Sequence, residues 1–499
     1  MADQSELMTE LSRSLADNLL QLEKELGRSG DVAVRQFQID IGPERFVQAA
    51  VVYVDGLSNL NSMIDSLIAY FERNGPLPPH SEQLLDRCKQ IAVSSGTVKD
   101  IVQFEELYDL LLSGSSILML DGSSRGLAIG TKELTARTVE EPNVQSVVRG
   151  PREGFTEVLR WNTAMLRRRI KDRHLWMETM NIGRVTKTEV AVAYISNIVS
   201  EQLLNEVKQR LSAIDIDAIL ESNYIEEELK EKRYTPFPTL FNSERPDVIA
   251  AGLLEGRVAI LVDGTPFALL VPALFTQFFQ SSEDYYQSAD FSTLIRMLRY
   301  LSFALALLTP SFYIAISTFH QEMLPTTLLY NLASQREGVP FPAFIEAILM
   351  EVTFEILREA SVRMPRTVGQ SISIVGTLVV GQAAVEAGLV SAAMVIVVSI
   401  TAISNFVLPA FNLGITIRMI RFVLMILAAS FGLFGIFMGI IALVVHMCGL
   451  SSFGVPYMAP LAPFHLTDQK DGVFRFSFPN MITRPKTLRP KNLVRQKRR

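Results

Sequence analysis

Apolar and polar positions divide the chain near residue 290. Before that point charges recur throughout, and from about residue 300 to residue 447 apolar runs dominate. Tyr300–Thr318 is an uncharged run of 19 residues and predicts a first membrane span. Ser371–Pro409 holds 39 residues and one formal charge, Glu386. One crossing takes about 20 apolar residues, so this stretch is too long for one. Divided at Glu386-Ala387-Gly388, it leaves 15 residues before the break and 21 after it. The first piece, 371–387, is short and carries Gly376, Gly381 and Gln382, which predicts a short or re-entrant segment lining a water-filled path. An ordinary helical hairpin is the competing reading. The second piece, 388–409, predicts a full span. Phe422–Met447 gives 26 uncharged residues and predicts another, with Gly435 and Gly439 at a spacing that suits close helix packing.

Between the first span and the long stretch lies Phe341–Ala360, with Glu346, Glu351, Glu355 and Glu359 at spacings of five, four and four. That pattern predicts a helix with its carboxylates on one face and Phe344, Ile345, Ile348, Leu349, Val352 and Ile356 on the other. Such a helix lies at a membrane interface with its acids in water, or walls a vestibule whose acids attract cations when repeated around a symmetric oligomer. Arg296 and Arg299 place the start of the first span on the cytoplasmic side. Four crossings then put both termini there, but leave Arg418 and Arg421 on the far side.

The polar half reads as a duplication. Leu111–Leu127, LLSGSSILMLDGSSRGL, matches Leu253–Leu269, LLEGRVAILVDGTPFAL, at an offset of about 142. Ala50–Val54 answers Ala191–Ile195 at nearly the same offset. Each copy reads as a strand, helices, and a hairpin turning on Asp-Gly, at Asp121-Gly122 and Asp263-Gly264. The expected organisation is an amphipathic helix in 1–30, α/β subdomains over 31–140 and 174–290, and a basic linker helix within 141–173. An all-α, multi-spanning membrane domain over 291–450 and a basic cytoplasmic tail over 451–499 follow. The first helix is predicted by Met8, Leu11, Leu15, Leu19 and Leu22. The linker offers Arg149, Arg152, Arg167, Arg168 and Arg169. They read as a solvated bridge, as a contact for an acidic partner or anionic lipid, and least well as a nucleic-acid surface. Two subdomains joined by a linker can also enclose a ligand cleft.

Composition adds less. The 499 residues carry a net charge of −5, yet Arg484–Arg499 holds eight basic residues and no acid. Cys88 and Cys448 give neither a disulfide framework nor metal spacing. The polar, acidic N-terminus predicts no cleavable signal peptide, hence a cytoplasmic N-terminal region. Phosphate-loop, dinucleotide, zinc-protease and CxxC motifs are absent, and no nucleophile with a paired base can be nominated. That argues against an enzyme and implies no cofactor and no metal.

Several long motifs, in order, resemble the A subunits of GerA-type spore germinant receptors: Val148–Lys171, Glu244–Pro266, Ser282–Tyr286, Gly369-Gln370 with Val375-Gly376, and Gly381–Gly388. The resemblance covers roughly residues 30 to 465. It implies a multi-pass subunit in the spore inner membrane, partnered by a transporter-like B subunit and a lipoprotein C subunit. It further implies a homo-oligomer, a pentamer, that passes monovalent cations when a nutrient binds. On that reading Gln370, Gly376, Val379, Gln382 and Glu386 lie near the ion path, with Val379 as an apolar constriction. Glu346, Glu351, Glu355 and Glu359 enrich cations at a mouth, and the basic linker contacts a partner or subunit. The rival is a non-conducting sensor or scaffold whose two-subdomain cleft binds the nutrient or a partner.

Overall fold

The structure is a computed structural model that describes residues 9–42, 45–59, 78, 80–92, 97–132, 141–142, 144–232, 234–363 and 381–496. It forms two compact units. The first comprises Met1–Glu231, Leu240–Pro272 and Met481–Arg499, and the second comprises Lys232–Thr239 and Ala273–Asn480.

The first unit contains two sheets built alike. In chain order its elements are α1 (Leu15–Leu26), β1 (Val32–Gly42), β2 (Arg45–Val54), α2 (Ser81–Ala92), β3 (Val98–Ile101), α3 (Phe104–Leu112), β4 (Ser116–Leu120) and β5 (Gly126–Ile129). Then come α4 (Leu159–Arg169), β6 (Leu175–Ile182), β7 (Thr188–Ile195), α5 (Glu201–Ser212), α6 (Ser222–Leu229), β8 (Phe241–Ser243), α7 (Pro246–Glu255), β9 (Val258–Val262) and β10 (Ala268–Val271). The strand orders are β1-β2-β4-β5-β3 and β6-β7-β9-β10-β8, and every pairing is antiparallel. Helices cover both faces of the first sheet. Leu15, Leu22, Leu107 and Leu111 pack on one face and Leu84, Leu85 and Cys88 on the other. The central strands β2, β4, β7 and β9 are apolar because both of their faces are buried.

In each repeat the first strand is half of a two-stranded hairpin rather than a lone strand, and a short edge strand, β3 or β8, precedes the last helix. Both additions escape a hydrophobic-run search. β1 alternates with Arg35, Gln36, Gln38 and Asp40, and β8 has only three residues. The Asp-Gly turns behave as their chemistry requires, with φ +86° at Gly122 and +89° at Gly264.

The helix within 141–173 is no linker. α4 is the opening helix of the second repeat, as α1 is of the first. Asp121 Oδ1 accepts the N–H of Leu15 and Asp263 Oδ1 that of Leu159, both at 3.0 Å. Asn18 clasps the backbone of Ser12 at 2.8 and 2.7 Å, and Asn162 clasps that of Thr156 at 2.8 and 2.6 Å.

In the second unit α8 (Ala289–Thr318), α9 (Thr326–Arg336), α10 (Ala343–Arg363), α11 (Gly381–Glu386), α12 (Ala392–Phe406) and α13 (Phe411–Cys448) follow in order. α8 and α13 are long and apolar enough to cross a membrane, whereas α12 is apolar but has 15 residues. α13 is not the single span expected at 422–447. At Gly432 the backbone leaves the helix, with φ 59° and ψ −142°. A Cβ on Gly435 would stand 2.3 Å from the Leu427 carbonyl oxygen, and one on Gly439 2.5 Å from Leu424 Cδ2. In a straight helix residues 424 and 439 would be about 22 Å apart. The element is therefore two antiparallel legs that meet at Gly432, beside Phe319 and His320 at the end of α8.

Side-chain contacts fix the remaining directions. Ser391, just before α12, bonds Glu346 near the head of α10 and lies 3.4 Å from Tyr313 near the end of α8. Arg358 near the foot of α10 lies over the rings of Phe406 and Phe411. α10 and α12 thus run parallel.

Candidate functional site

The carboxylates of α10 do not face water. Glu346 and Glu351 are fully buried, while Ile345, Leu349, Val352 and Ile356 on the opposite face are exposed. Each buried acid has a partner inside the chain. Glu346 Oε2 accepts the N–H and Oγ–H of Ser391 at 3.1 and 2.9 Å, and its other oxygen lies 3.3 Å from Arg336 Nε. Glu351 meets Arg421 at 2.8 Å, and Glu355 meets Arg418 and, at 3.7 Å, Arg421. These pairs correct both readings of the helix. An acidic wall open to solvent would leave the carboxylates unpaired, and an interfacial helix would turn them to water. Instead three acids neutralise arginines within the fold, and only Glu359 is exposed, beside Arg363. The pairs also explain Arg418 and Arg421, which had no place in a four-crossing count.

Of the candidate path residues, Gln370, Gly376 and Val379 lie outside the described residues. Gln382 and Glu386 belong to α11, and both are exposed. Gln382 Nε2 donates to Glu386 Oε1 at 2.9 Å. α11 ends at Glu386 and Gly388 turns the chain with φ +66°, at the break expected there.

The basic residues of α4 divide. Arg167 is wholly buried at the seam between the two repeats. Its Nε and Nη2 donate to Asp31 at 2.8 and 3.0 Å, and Nη2 donates to the Leu175 carbonyl at 2.8 Å. It is therefore an internal lock and offers nothing to a partner. Arg168 and Arg169 share Glu153, Arg152 meets Glu141 at 3.0 Å, and Arg149 is exposed. The seam is closed at this point. The N–H of Gly30 donates to the Met177 carbonyl at 2.7 Å along the outer edge of β6, and Gly27 abuts the Trp176 ring. An open cleft along this line is excluded.

Two clusters escaped sequence reasoning. Arg296 and Arg299 do not face lipid headgroups. Both bond Asp284 Oδ2, at 3.1 and 2.8 Å, and Arg296 Nη1 also bonds Asp471 at 2.9 Å. The second is the basic tail, whose residues 481–496 lie against the second repeat. Arg484 Nε donates to the Leu254 carbonyl at 2.7 Å, the N–H of Lys491 to that of Ile198 at 2.8 Å, and Lys491 pairs with Glu201 at 2.9 Å. The tail contacts and the Arg296–Asp471 pair join residues more than 170 apart in sequence. Among the described residues no group of three or more His, Cys, Asp or Glu is placed to hold a metal.

A family profile described as Bacillus/Clostridium GerA spore germination protein matches residues 20–487. The chain is 49% identical over 488 residues to spore germination protein KA of Bacillus subtilis (strain 168), covering 97% of this chain and 89% of that protein. It is 36% identical to spore germination protein GerLA of Bacillus cereus, covering 99% of each. Among solved structures, the N-terminal domain of the A subunit of the Bacillus megaterium spore germinant receptor GerK3 is 38% identical; the match covers 54% of this chain and 98% of that one, with a TM-score of 0.43.

Proposed function

The chain belongs to the GerA family of spore germination proteins, and on that premise we propose that it is a membrane subunit of a germinant receptor that conducts monovalent cations as a homo-oligomer. Its partners are a transporter-like B subunit and a lipoprotein C subunit, and its site is the spore inner membrane. The burial pattern of α10 supports the membrane reading. A helix with its acids inside and its apolar face outside suits lipid and not water.

The docked tail supports an even number of crossings, since it packs on the same repeats that begin the chain. Among the described residues the assigned crossings are α8, α10, α12 and the two legs of α13. The repeats and the tail share the cytoplasmic side. A membrane-impermeant maleimide applied from outside should label Ala387→Cys at the head and spare Arg363→Cys at the foot.

The observation that carries conduction is the exposure of Gln382 and Glu386. They are polar, sit after the glycine-containing stretch, and are not consumed by the ion pairs that neutralise α10. Around an oligomer axis Glu386 forms a ring of charge at the head of the path, and Gln370, Gly376 and Val379 line the way to it. Conductance of the reconstituted receptor in liposomes tests this. Glu386→Gln should lower cation-over-anion selectivity, and Val379→Ala should leak without nutrient. Unchanged selectivity and tight closure would overturn these assignments. A receptor that binds nutrient and passes no current would leave the sensor or scaffold reading.

A further inference from the structure

Residues 474–478 read Phe-Arg-Phe-Ser-Phe. Phe474, Phe476 and Phe478 are 50%, 44% and 49% exposed, whereas Arg475 between them is 4% exposed. In water such a segment would hide its rings and show its cation. The inversion suits a membrane interface, where apolar rings sit against lipid. The segment is held to the start of α8. The N–H of Arg475 donates to Thr293 Oγ1, which also lies 3.1 Å from the Arg475 carbonyl oxygen. Along this part of α8, Phe291, Leu294, Leu298 and Leu301 are exposed as well.

The Arg475 guanidinium stands over two rings, Phe478 at 4.8 Å and Tyr285 at 5.8 Å. Arg296 lies over the same Tyr285 ring at 6.0 Å. It precedes Tyr300, where the uncharged run begins, by about 6 Å along the helix. That is the depth of a headgroup layer. The nearby carboxylates are occupied: Asp284 holds Arg296 and Arg299, and Asp471 holds Arg296 and the Tyr285 hydroxyl. Among the described residues Arg475 has no acid, and its Nε and Nη2 are buried without a hydrogen-bond partner. A cation buried in this way is unfavourable until an anion meets it. Nε and Nη2 form one edge of the guanidinium, with two parallel N–H groups. Arg167 uses that edge to hold both oxygens of Asp31, at 2.8 and 3.0 Å. At Arg475 the same edge is idle. A phosphodiester, with two oxygens sharing one negative charge, fits it.

We propose that Arg475 seats the phosphodiester of a phospholipid from the leaflet at the start of α8. Phe474 and Phe476 rest against that lipid's chains, and Phe478 is the half-exposed cover that swings aside to admit the headgroup. The exposed rings on both sides of Arg475 favour a lipid over a free ion. The proposal rests on the membrane reading of α8 and not on conduction.

Lipid retention tests it. Full-length protein in detergent is mixed with equal, limiting amounts of dioleoyl phosphatidylglycerol and of dioleoylglycerol, which lacks the phosphate. After gel filtration the retained lipids are quantified by mass spectrometry. The parent should retain phosphatidylglycerol over dioleoylglycerol, and Arg475→Gln should retain about tenfold less of it. Equal retention by parent and variant would overturn the seat. So would release of the lipid by millimolar inorganic phosphate, which would mark a free-ion site. If Arg475→Gln does not fold, the surface change Phe478→Ala decides: loss of the cover should speed exchange of bound phosphatidylglycerol severalfold, and an unchanged rate overturns the seat. Alkaline carbonate extraction from vesicles checks the membrane reading apart. A parent that is extracted sinks that reading and the seat with it, whereas a parent that resists, with retention equal to the variant's, sinks the seat alone.

Discussion

Asp263 Oδ1 accepts the backbone N–H of Leu159 at 3.0 Å, and one repeat earlier Asp121 makes the same bond to Leu15. Each aspartate of an Asp-Gly turn thus holds the first turn of its own repeat's opening helix, where backbone N–H groups otherwise lack partners. Asp263→Ala and Asp121→Ala should each cost about 1 kcal/mol, with Asn retaining most of the stability. Urea unfolding followed by the fluorescence of Trp161 and Trp176, both in the first unit, measures it.

Arg167 and Asp31 form a buried pair across the seam, with side chains at most 2% exposed. Arg167→Met leaves Asp31 charged and unpaired, and should cost about 3–5 kcal/mol. Arg167→Met with Asp31→Leu should recover much of that loss. A single variant as stable as the parent would show that water reaches the seam.

The Gly432 turn has a positive φ, and a Cβ there would stand 2.8 Å from the His320 ring. Gly432→Ala should disrupt the hairpin. In a background lacking the native cysteines, Leu424→Cys with Gly439→Cys should form an intramolecular disulfide, detected as a mobility shift on electrophoresis. Adding Gly432→Ala should slow that reaction severalfold. No cross-link in the parent pair would restore one continuous helix.

Glu351→Ala should destabilise the membrane unit, because it leaves Arg421 buried without its partner. The readout is the detergent-solubilised melting temperature. Glu351→Leu with Arg421→Leu should melt closer to the parent than either single change. An intact, fully stable Glu351→Ala receptor with altered ion selectivity would return this acid to the vestibule.

Burial pushes the Cys88 thiol up to about 12. At pH 8 iodoacetamide should modify the exposed Cys448 and spare Cys88 until urea is added, as mass spectrometry would show. A raised thiol value means the folded state holds the proton longer than the unfolded one, whose thiol titrates near about 8.5. Its contribution to stability is therefore present below about pH 8.5 and is lost as the pH climbs toward 12.

The duplication was legible in sequence because its Asp-Gly hairpins repeat both apolar pattern and turn chemistry. The opening helices hid because their faces share little. Leu15, Asn18 and Leu22 answer Leu159, Asn162 and Leu166, but acidic and neutral positions in one helix are arginines in the other. The acidic spacing predicts a helix but not its orientation. Periodicity says which residues share a face and not which medium that face meets. Arg418 and Arg421, the partners that turn it inward, lie more than 60 residues away. The Gly432 break was invisible for another reason: glycine is ordinary in apolar helices, and only its backbone angles distinguish a turn from a packing site.

The seam between the repeats joins unlike places, the start of a strand in one copy and the interior of a helix in the other. The residue of α1 that corresponds to Arg167 is Glu23, which lies on the surface beside Arg28. Neither repeat can take the other's position, and deleting either strands a charge that its neighbour was shaped to meet. The two copies have ceased to be interchangeable. What began as a doubling is now an obligate pair, which cannot revert to a half-sized domain by losing one copy.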